Sequence, residues 1–471
     1  MSAATEPAPV PLTADTDVRR AFARDASGLE LVPECVARPE SAAEVVELLR
    51  RAARERTPVT PAGGQSSTTG ASITDRGMLL SLRGLARVRD LDVAQRTVRV
   101  EPGVGVAALR RVAAEHGLLF APDPTSEEEA TIGGALACNA SGARSLRYGP
   151  IRAHVRALTV ALAGGEVLEL RRPGLEKNTV GYAAVQDPVD WFVGSEGTLG
   201  VILEAELALL PLPARVTGVV LPFSVEADAL AFVAAAREST AVRPRCLEYF
   251  DAGALALVHA TPGGEAWGAD AAALVYAEEA SDAGEASEPD EADAGALDAW
   301  LALAERHAAR VDDAAVLETE GALREARRLR HAVPAAMNER GARCRAAGGR
   351  KVSTDWAVPY RRLPEAIAAA RAAAGRAGVE PPVIYGHAGN GHPHENFLAR
   401  DADELAAVER AVEETLRAVV ALGGTVAAEH GIGKLKRRWL PLQLSGHQLG
   451  AMRALKRELD PLGLLAPGNV L

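Results

Sequence analysis

The stretch Pro61-Ala62-Gly63-Gly64-Gln65-Ser66-Ser67-Thr68-Thr69-Gly70 follows a short apolar segment, residues 57–61, that is predicted to be a β-strand. Glycines allow close backbone approach and positive φ angles, and consecutive amides in such a loop form an anion-binding nest. The loop therefore has the composition to hold a pyrophosphate group. An ordinary surface loop is the alternative that this stretch alone leaves open.

Two further glycine-rich segments lie within the first 202 residues. One spans residues 122–149 and includes Thr131-Ile132-Gly133-Gly134-Ala135, and the other is Val193-Gly194-Ser195-Glu196-Gly197-Thr198-Leu199-Gly200-Val201-Ile202. Because residues this small cannot build a core by themselves, we expect their backbone to lie against a flat ring system. Turn formation alone would also account for either segment.

The predicted elements around these segments alternate between helix, strand and loop. Ser41 is expected to cap the helix AAEVVELLRRAAR, and MLLSL and TVRVEP are predicted strands. The alternation continues to residue 210 and indicates an αβ or α+β domain. After Pro211 the strand VTGVVLPF, the helix ADALAFVAAARES and the strand CLEYFD begin a second region. The acidic stretch 278–298 is expected to be a solvated surface insertion.

Composition restricts the class of protein. The 471 residues carry a net charge of −11, which gives no general electrostatic source for nucleic-acid binding, and their number predicts at least two domains. Four scattered cysteines without a CxxC pair argue against a zinc site or an iron–sulfur cluster held by cysteines and against a disulfide framework, and they indicate a cytoplasmic location. No signal peptide is expected, because the start of the sequence lacks a basic patch followed by an apolar core. No membrane span is expected, because charges, glycines or prolines interrupt every run of about 18 apolar residues.

The turn Gly103-Val104-Gly105-Val106-Ala107-Ala108 has the GxGxxA form of a dinucleotide-binding turn. A Rossmann unit also needs a second parallel strand that ends in an acidic residue about 20 positions later. Here Glu127-Glu128-Glu129 follows two prolines and does not end a predicted strand. An NAD-dependent Rossmann dehydrogenase is therefore the weaker alternative.

Four of the ten histidines lie between residues 387 and 430, namely His387, His392, His394 and His430. Glycines and a proline among the first three forbid a continuous helix, so we predict a strand, a glycine turn and a second strand. In the second strand the two-residue period places His392, His394 and Asn396 on one face. His387 must then approach them across the turn.

Glu429 and His430 follow the strand-like segment GGTVAA and precede KLKRRWL, which is predicted to be an exposed basic helix. Two imidazoles and a carboxylate are the ligand set of an open catalytic site for zinc or a similar divalent ion. Spacing does not decide which two of the three upstream histidines bind, and a structural polar cluster is the alternative. Arg330 and Lys351 are candidates for binding a substrate carboxylate, although either residue alone would more often be a solvated charge.

Together, and in this order over residues 35–471, these segments resemble the vanillyl-alcohol oxidase and p-cresol methylhydroxylase superfamily of flavoproteins. Within it they resemble the FAD-dependent D-2-hydroxy-acid dehydrogenases, a branch that includes D-lactate, glycolate-oxidase-subunit and D-2-hydroxyglutarate dehydrogenases. The family motif HxGDGNxHxN appears here as His387-Ala388-Gly389-Asn390-Gly391-His392-Pro393-His394-Glu395-Asn396. Asn390 and His392 replace the usual Asp and Asn, and Lys351 lies two residues out of register with the family's lysine.

The resemblance implies an α+β fold with a two-subdomain FAD-binding domain of the p-cresol methylhydroxylase type and an α+β cap domain that contains an antiparallel sheet. The implied domains are an N-terminal arm and lead-in (1–34), the FAD-binding domain (35–213), a substrate or cap domain (214–425) and a C-terminal segment that returns to the FAD domain (426–471). FAD is expected to be non-covalent because the first loop contains no histidine. The residues assigned to FAD are Pro61, Gly63, Gly64, Gln65, Ser66, Ser67, Pro124, Thr125, Thr131, Gly133, Gly134, Asn139, Glu196, Gly197, Val201 and Ile202.

The resemblance also implies a divalent metal, Zn, Mn or Fe, on His387, His394 and Glu429. His430 falls on the position of the base, and Arg330, Lys351 and Asn396 fall at the substrate. The implied reaction is oxidation of a small D-2-hydroxy acid to the 2-keto acid by hydride transfer to FAD. Electrons would then pass to a protein, quinone or carrier, and an iron–sulfur subunit is a compatible partner. A non-catalytic or electron-relaying subunit of a glycolate-oxidase-like complex is the alternative.

Overall fold

A computed structural model describes residues 10–281 and 289–471 of the chain. The strands of these residues, numbered in chain order, are β1 (Leu12–Thr13), β2 (Cys35–Ala37), β3 (Val59–Ala62), β4 (Met78–Ser81), β5 (Val88–Asp92), β6 (Thr97–Val100), β7 (Leu118–Leu119), β8 (Val155–Ala161), β9 (Val167–Arg171), β10 (Val201–Ala208), β11 (Leu210–Pro211), β12 (Arg215–Phe223), β13 (Pro244–Asp251), β14 (Ala273–Ser281), β15 (Ala315–Leu317), β16 (Gly348–Thr354), β17 (Val383–His387) and β18 (His392–Asp401).

The α-helices of the same residues are α1 (Thr16–Ala21), α2 (Ala42–Glu55), α3 (Val106–Glu115), α4 (Ile132–Cys138), α5 (Ser145–Tyr148), α6 (Ala183–Gln186), α7 (Val189–Phe192), α8 (Glu226–Glu238), α9 (Ala252–His259), α10 (Pro289–Arg306), α11 (Glu320–Cys344), α12 (Leu363–Ala377), α13 (Ala402–Ala421), α14 (Leu440–Gln443) and α15 (Gly446–Leu459). Among them, no helix is both long enough and apolar enough to cross a lipid bilayer.

The elements form two compact units. Unit 1 comprises the chain up to Ser141, then Pro150–Leu210, and finally Glu429–Leu471. Unit 2 comprises Gly142–Gly149 and Pro211–Ala428. The C-terminal segment thus folds with the N-terminal part of the chain, while eight residues from the second glycine-rich segment fold with unit 2.

The first sheet of unit 1 has the strand order β1-β2-β4-β3, and its strands β2, β4 and β3 are parallel. Helix α2 buries Val45, Leu48 and Leu49 against this sheet, in a core that also contains Leu465 near the C-terminus. The predicted cap is confirmed, because the Ser41 hydroxyl accepts a hydrogen bond from the Glu44 amide at 3.3 Å. Burial of such aliphatic side chains contributes about 1.5–3 kcal/mol each.

The second sheet of unit 1 is antiparallel, with the order β5-β6-β10-β8-β9. The turn at Gly103–Ala108 leads from β6 into α3, but both neighbours of β6 in the sheet are antiparallel to it. The Rossmann interpretation is therefore wrong, because that fold needs a parallel βαβ unit at this turn.

Unit 2 is built on a seven-stranded antiparallel sheet with the order β15-β12-β14-β13-β17-β18-β16. Helices α9 and α11 cover a core that contains Phe250, Leu255, Leu329 and Tyr385. The predicted strand, glycine turn and strand around the histidines are confirmed as β17, a 3-10 turn and β18. The predicted α+β class with an antiparallel sheet in the second region is also confirmed.

The acidic stretch 278–298 does not begin as a solvated insertion. Glu278 lies in β14, is 3% exposed, and accepts hydrogen bonds from the guanidinium groups of Arg144 and Arg245 and from the Tyr276 hydroxyl. Burial opposes its ionisation, but the two arginines hold its pKa far below the ordinary value. Residues 282–288 lie outside the described residues, and α10 begins at Pro289.

Candidate functional site

Unit 1 brings the three glycine-rich segments together. A Cβ atom on Gly63 would lie 2.2 Å from the Thr131 Oγ1 atom, and a Cβ atom on Gly64 would lie 1.9 Å from the carbonyl oxygen of Glu129. Gly197, at φ +73°, would place its Cβ atom 3.1 Å from the ring of Pro61. At Gly63 and Gly64 the first and second segments therefore approach too closely for a Cβ atom, and Gly197 also needs glycine for its positive φ angle.

Two side chains of the first loop, Gln65 and Ser67, bond the N-terminal arm and the loop itself. Gln65, at φ +54°, donates from Nε2 to the carbonyl oxygens of Phe22 and Arg24 at 3.0 and 3.3 Å. The Ser67 hydroxyl accepts from the amides of Thr69 and Ala71 at 3.2 and 3.3 Å. The Gln65 side chain is therefore turned toward the N-terminal arm, and the backbone amides of this loop are candidate donors to an anion.

The other FAD candidates occupy different environments. Thr131 caps α4 through a bond from the Gly134 amide, and Asn139 ends that helix at φ +50°. Pro124 and Thr125 lie in the loop before α4. The side chains of Val201 and Ile202 are buried in two hydrophobic cores, so these residues stabilise β10.

Glu196 has a role that sequence reasoning missed. This buried residue accepts a hydrogen bond from the Ile432 amide at its Oε1 atom, at 2.5 Å, and one from the Gly433 amide at its Oε2 atom, at 2.7 Å. Burial raises the pKa of Glu196, and it lowers the pKa of nearby Lys436 to about 7. The carboxylate thus holds the chain immediately after Glu429 and His430.

Glu429 and His430 lie next to one another in unit 1. The Nε2 atom of His430 is 3.4 Å from the Oε1 atom of Glu429, and the Oε2 atom of Glu429 accepts a hydrogen bond from the Ser141 hydroxyl at 2.9 Å. The Lys434 amide bonds the Thr69 carbonyl oxygen at 2.9 Å. The segment that carries His430 is therefore hydrogen-bonded to the first glycine-rich loop.

The local structure predicted around this pair is wrong. Residues 423–428, predicted to be a strand, make only isolated bridges at Thr425 and Ala427. KLKRRWL is a turn and a 3-10 turn that lead into α14, and Lys436 within it is 5% exposed. Gly433 has a positive φ of +51°, and the Lys434 ammonium donates to the Gly70 carbonyl oxygen and the Asn469 Oδ1 atom. These contacts take the place of a regular exposed helix.

In unit 2 the histidine hairpin forms a buried imidazole cluster. His387, His392 and His394 are each 5% exposed or less. Their ring centroids are 5.4 Å apart for His387 and His392, 5.1 Å for His387 and His394, and 4.9 Å for His392 and His394. The turn thus carries His387 to the two histidines on the face of β18, as the two-residue period predicts.

Glu248 of β13 joins this cluster, although the sequence analysis did not single it out. Its Oε1 atom accepts from the His387 Nδ1 atom at 2.5 Å, and its Oε2 atom accepts from the Arg330 Nε atom at 3.1 Å. Burial opposes ionisation of Glu248, but His387 and Arg330 hold its pKa at about 2. Arg330 also lies over the Tyr385 ring, 5.6 Å from its centroid, and its Nη2 atom is 3.5 Å from the His394 Nε2 atom.

Two more candidates lie on strands of the same sheet. The Asn396 side chain is 1% exposed and donates to the His394 carbonyl oxygen at 3.2 Å, while its Oδ1 atom has no hydrogen-bond partner among the described residues. The Lys351 ammonium donates to the Asn338 Oδ1 atom at 2.9 Å, and burial lowers the pKa of Lys351 to about 8. An unsatisfied buried amide oxygen is costly and is suited to bind a polar ligand.

These residues fit the two groups that the resemblance implies. The convergent glycine backbones and their amides suit the pyrophosphate and ring of FAD. Burial raises the pKa of the Cys138 thiol to about 12, which leaves it protonated. Buried imidazoles, one of them anchored by a carboxylate, are the donors that a divalent transition metal prefers.

Comparison with known proteins agrees with this description. Residues 33–171 match the family described as FAD binding domain, and residues 212–470 match the family described as FAD linked oxidases, C-terminal domain. This chain belongs to the FAD-linked oxidases. The first match is to an FAD-binding domain, and this FAD-linked oxidase therefore binds FAD.

Three curated relatives of this FAD-linked oxidase each align with 93% of the chain. Glycolate oxidase subunit GlcD of Bacillus subtilis is 29% identical over 89% of its own length, and D-2-hydroxyglutarate dehydrogenase of Xanthomonas citri is 32% identical over 89%. D-lactate dehydrogenase of Archaeoglobus fulgidus is 30% identical over 91%. They confirm the resemblance to the D-2-hydroxy-acid dehydrogenase branch.

A solved structure shares the fold. Alkyldihydroxyacetonephosphate synthase is 20% identical, has a TM-score of 0.74, and aligns with 97% of this chain and 82% of its own. At this identity the likeness concerns the fold alone.

Proposed function

We propose that this FAD-linked oxidase oxidises a small D-2-hydroxy acid, of the lactate, glycolate or 2-hydroxyglutarate type, to the corresponding 2-keto acid. The observation that carries the proposal is the buried cluster of Arg330, His387 and His394 in unit 2, which offers a cation for a carboxylate beside donors for a metal. The names of the curated relatives supply the substrate class.

The chain's own residues divide the work. Arg330 and Lys351 would bind the substrate carboxylate, and Asn396 would orient the acid through its unsatisfied Oδ1 atom. A ring nitrogen of His430 would accept the proton of the 2-hydroxyl group. His387, His394 and Glu429 would hold a divalent ion. When bound, FAD would supply the hydride acceptor, and a metal would supply a Lewis acid for the hydroxyl group.

The electrons must leave the protein after each turnover. Neither the four scattered cysteines nor any other sequence motif supplies an iron–sulfur site, so we propose that the acceptor is a second protein, a quinone or a carrier. An iron–sulfur subunit fits this role, in keeping with the relative that is named as a subunit of glycolate oxidase. A nucleic-acid partner does not fit the charge of −11, and a cytoplasmic location agrees with the cysteine content.

Anaerobic mixing of the purified flavoprotein with a panel of D- and L-2-hydroxy acids tests the proposal. At least one D-acid is expected to bleach the flavin absorbance and to yield the 2-keto acid. His430→Ala is expected to retain FAD and to slow reduction by about 10²- to 10⁴-fold, whereas His116→Ala, at an exposed histidine that ends α3, is expected to match the native rate. Flavin that stays oxidised with every D-acid would refute the proposal and favour the non-catalytic subunit.

A further inference from the structure

Glu248 is a buried carboxylate whose two oxygen atoms serve two different functional candidates. Strand β13 pairs antiparallel with β17 through Tyr249–Gly386 and Phe250–Tyr385. One residue further along the same register, Glu248 lies beside His387. The result is the 2.5 Å contact between Oε1 and the His387 Nδ1 atom, while Oε2 accepts from the Arg330 Nε atom.

The contact with Nδ1 has a chemical consequence for His387. A carboxylate that already forms an ion pair with an arginine acts as an acceptor, so the proton of a neutral His387 ring lies on Nδ1. The Nε2 atom then keeps its lone pair, which is the form that binds a metal. The same carboxylate holds one edge of the guanidinium of Arg330, the residue proposed above to bind the substrate carboxylate, through its Nε atom.

We propose that Glu248 is a positioning residue that presents the Nε2 atom of His387 to the metal and orients Arg330 for the substrate. This inference rests on the proposed function, because it concerns the metal and the acid assigned there. It adds that the two sites are physically joined through one side chain. Loss of Glu248 therefore weakens both metal binding and acid binding, although Glu248 touches neither ligand.

The decisive measurement is metal affinity of the purified flavoprotein, obtained by chelator competition with Zn²⁺ or Mn²⁺ alone and by metal content after dialysis. Glu248→Gln keeps the side-chain volume and removes the charge. Metal affinity is expected to fall about 10- to 100-fold, and KM for the acid is expected to rise. Glu278→Gln is the matched control, because Glu278 is equally buried and also pairs with arginine, but on the neighbouring strand β14. It is expected to change metal affinity less than threefold.

A double-mutant cycle separates positioning from general destabilisation. If Glu248 acts through His387, Glu248→Gln adds no further loss of metal affinity in a His387→Ala background. If Glu248→Gln fails to fold, Glu248→Asp takes its place, because it retains the charge that pairs with Arg330 and shortens the side chain by one methylene. Its metal affinity is expected to be at least fivefold lower than that of the native protein.

The outcomes distinguish this inference from the proposed function. A native protein that binds no metal and is not reduced by any D-acid refutes the proposed function itself. A native protein that binds metal while Glu248→Gln or Glu248→Asp binds it equally well overturns the role of Glu248. An equal loss in Glu278→Gln, or additive losses in the cycle, also overturns it.

Discussion

Glutamine at position 196 would keep the volume of the glutamate side chain and remove its charge. The native carboxylate accepts one hydrogen bond from each of the Ile432 and Gly433 amides, at 2.5 and 2.7 Å. A side-chain amide has only one oxygen, so its NH₂ group must face the second backbone donor. One charge-assisted bond is then lost, which costs about 1.5–3 kcal/mol. That loss raises the population of local opening about 10- to 100-fold.

Hydrogen–deuterium exchange of the FAD-bound protein measures this opening directly. Peptides that contain Ile432 and Gly433 are expected to exchange about 10- to 100-fold faster in Glu196→Gln, and flavin reduction is expected to slow because His430 lies on the same segment. Glu101→Gln is the control, since Glu101 is equally buried in unit 1 but accepts from Arg87 and Arg89. Unchanged exchange at residues 432–433 in Glu196→Gln, or an equal increase in Glu101→Gln, would refute the holding role of Glu196.

Two further predictions concern the substrate and FAD. Because the pKa of Lys351 is about 8, its ammonium loses its proton as the pH rises through 8, and KM for the acid is expected to increase between pH 7 and 9.5. Lys351→Arg stays charged over this range and should abolish the increase. Identical KM–pH profiles of the native protein and Lys351→Arg would remove Lys351 from acid binding. Gly64→Ala would place a Cβ atom 1.9 Å from the Glu129 carbonyl oxygen and is expected to weaken FAD binding at least tenfold. Gly105→Ala is the control and should retain FAD, because its Cβ atom would meet nothing closer than 3.7 Å. Flavin content after purification decides, and full flavin in Gly64→Ala would exclude this backbone contact.

Local patterns predicted much of the architecture. The Ser41 cap, the strand before the first glycine-rich loop and the histidine hairpin depend on residues within a few positions of one another, and the structure confirms all three. The same local logic was wrong at KLKRRWL, where positive charges suggested an exposed helix. Contacts of Lys434 with Gly70 and Asn469 overrode that preference, and these partners are distant in sequence.

The sequence was enough to indicate a flavoprotein from its residue types, their spacing and the order of its glycine-rich segments. These signals are readable from the sequence because loop conformation and strand period depend on neighbouring residues. Glu196 bonds Gly433 in the segment after His430, 237 positions further along the chain. Glu248 contacts His387, which lies 139 positions further along. Such pairs follow from strand order and from the return of the C-terminal segment to unit 1. No local pattern encodes them, since a glutamate that will be buried beside an imidazole looks like any other strand residue until the sheet is assembled.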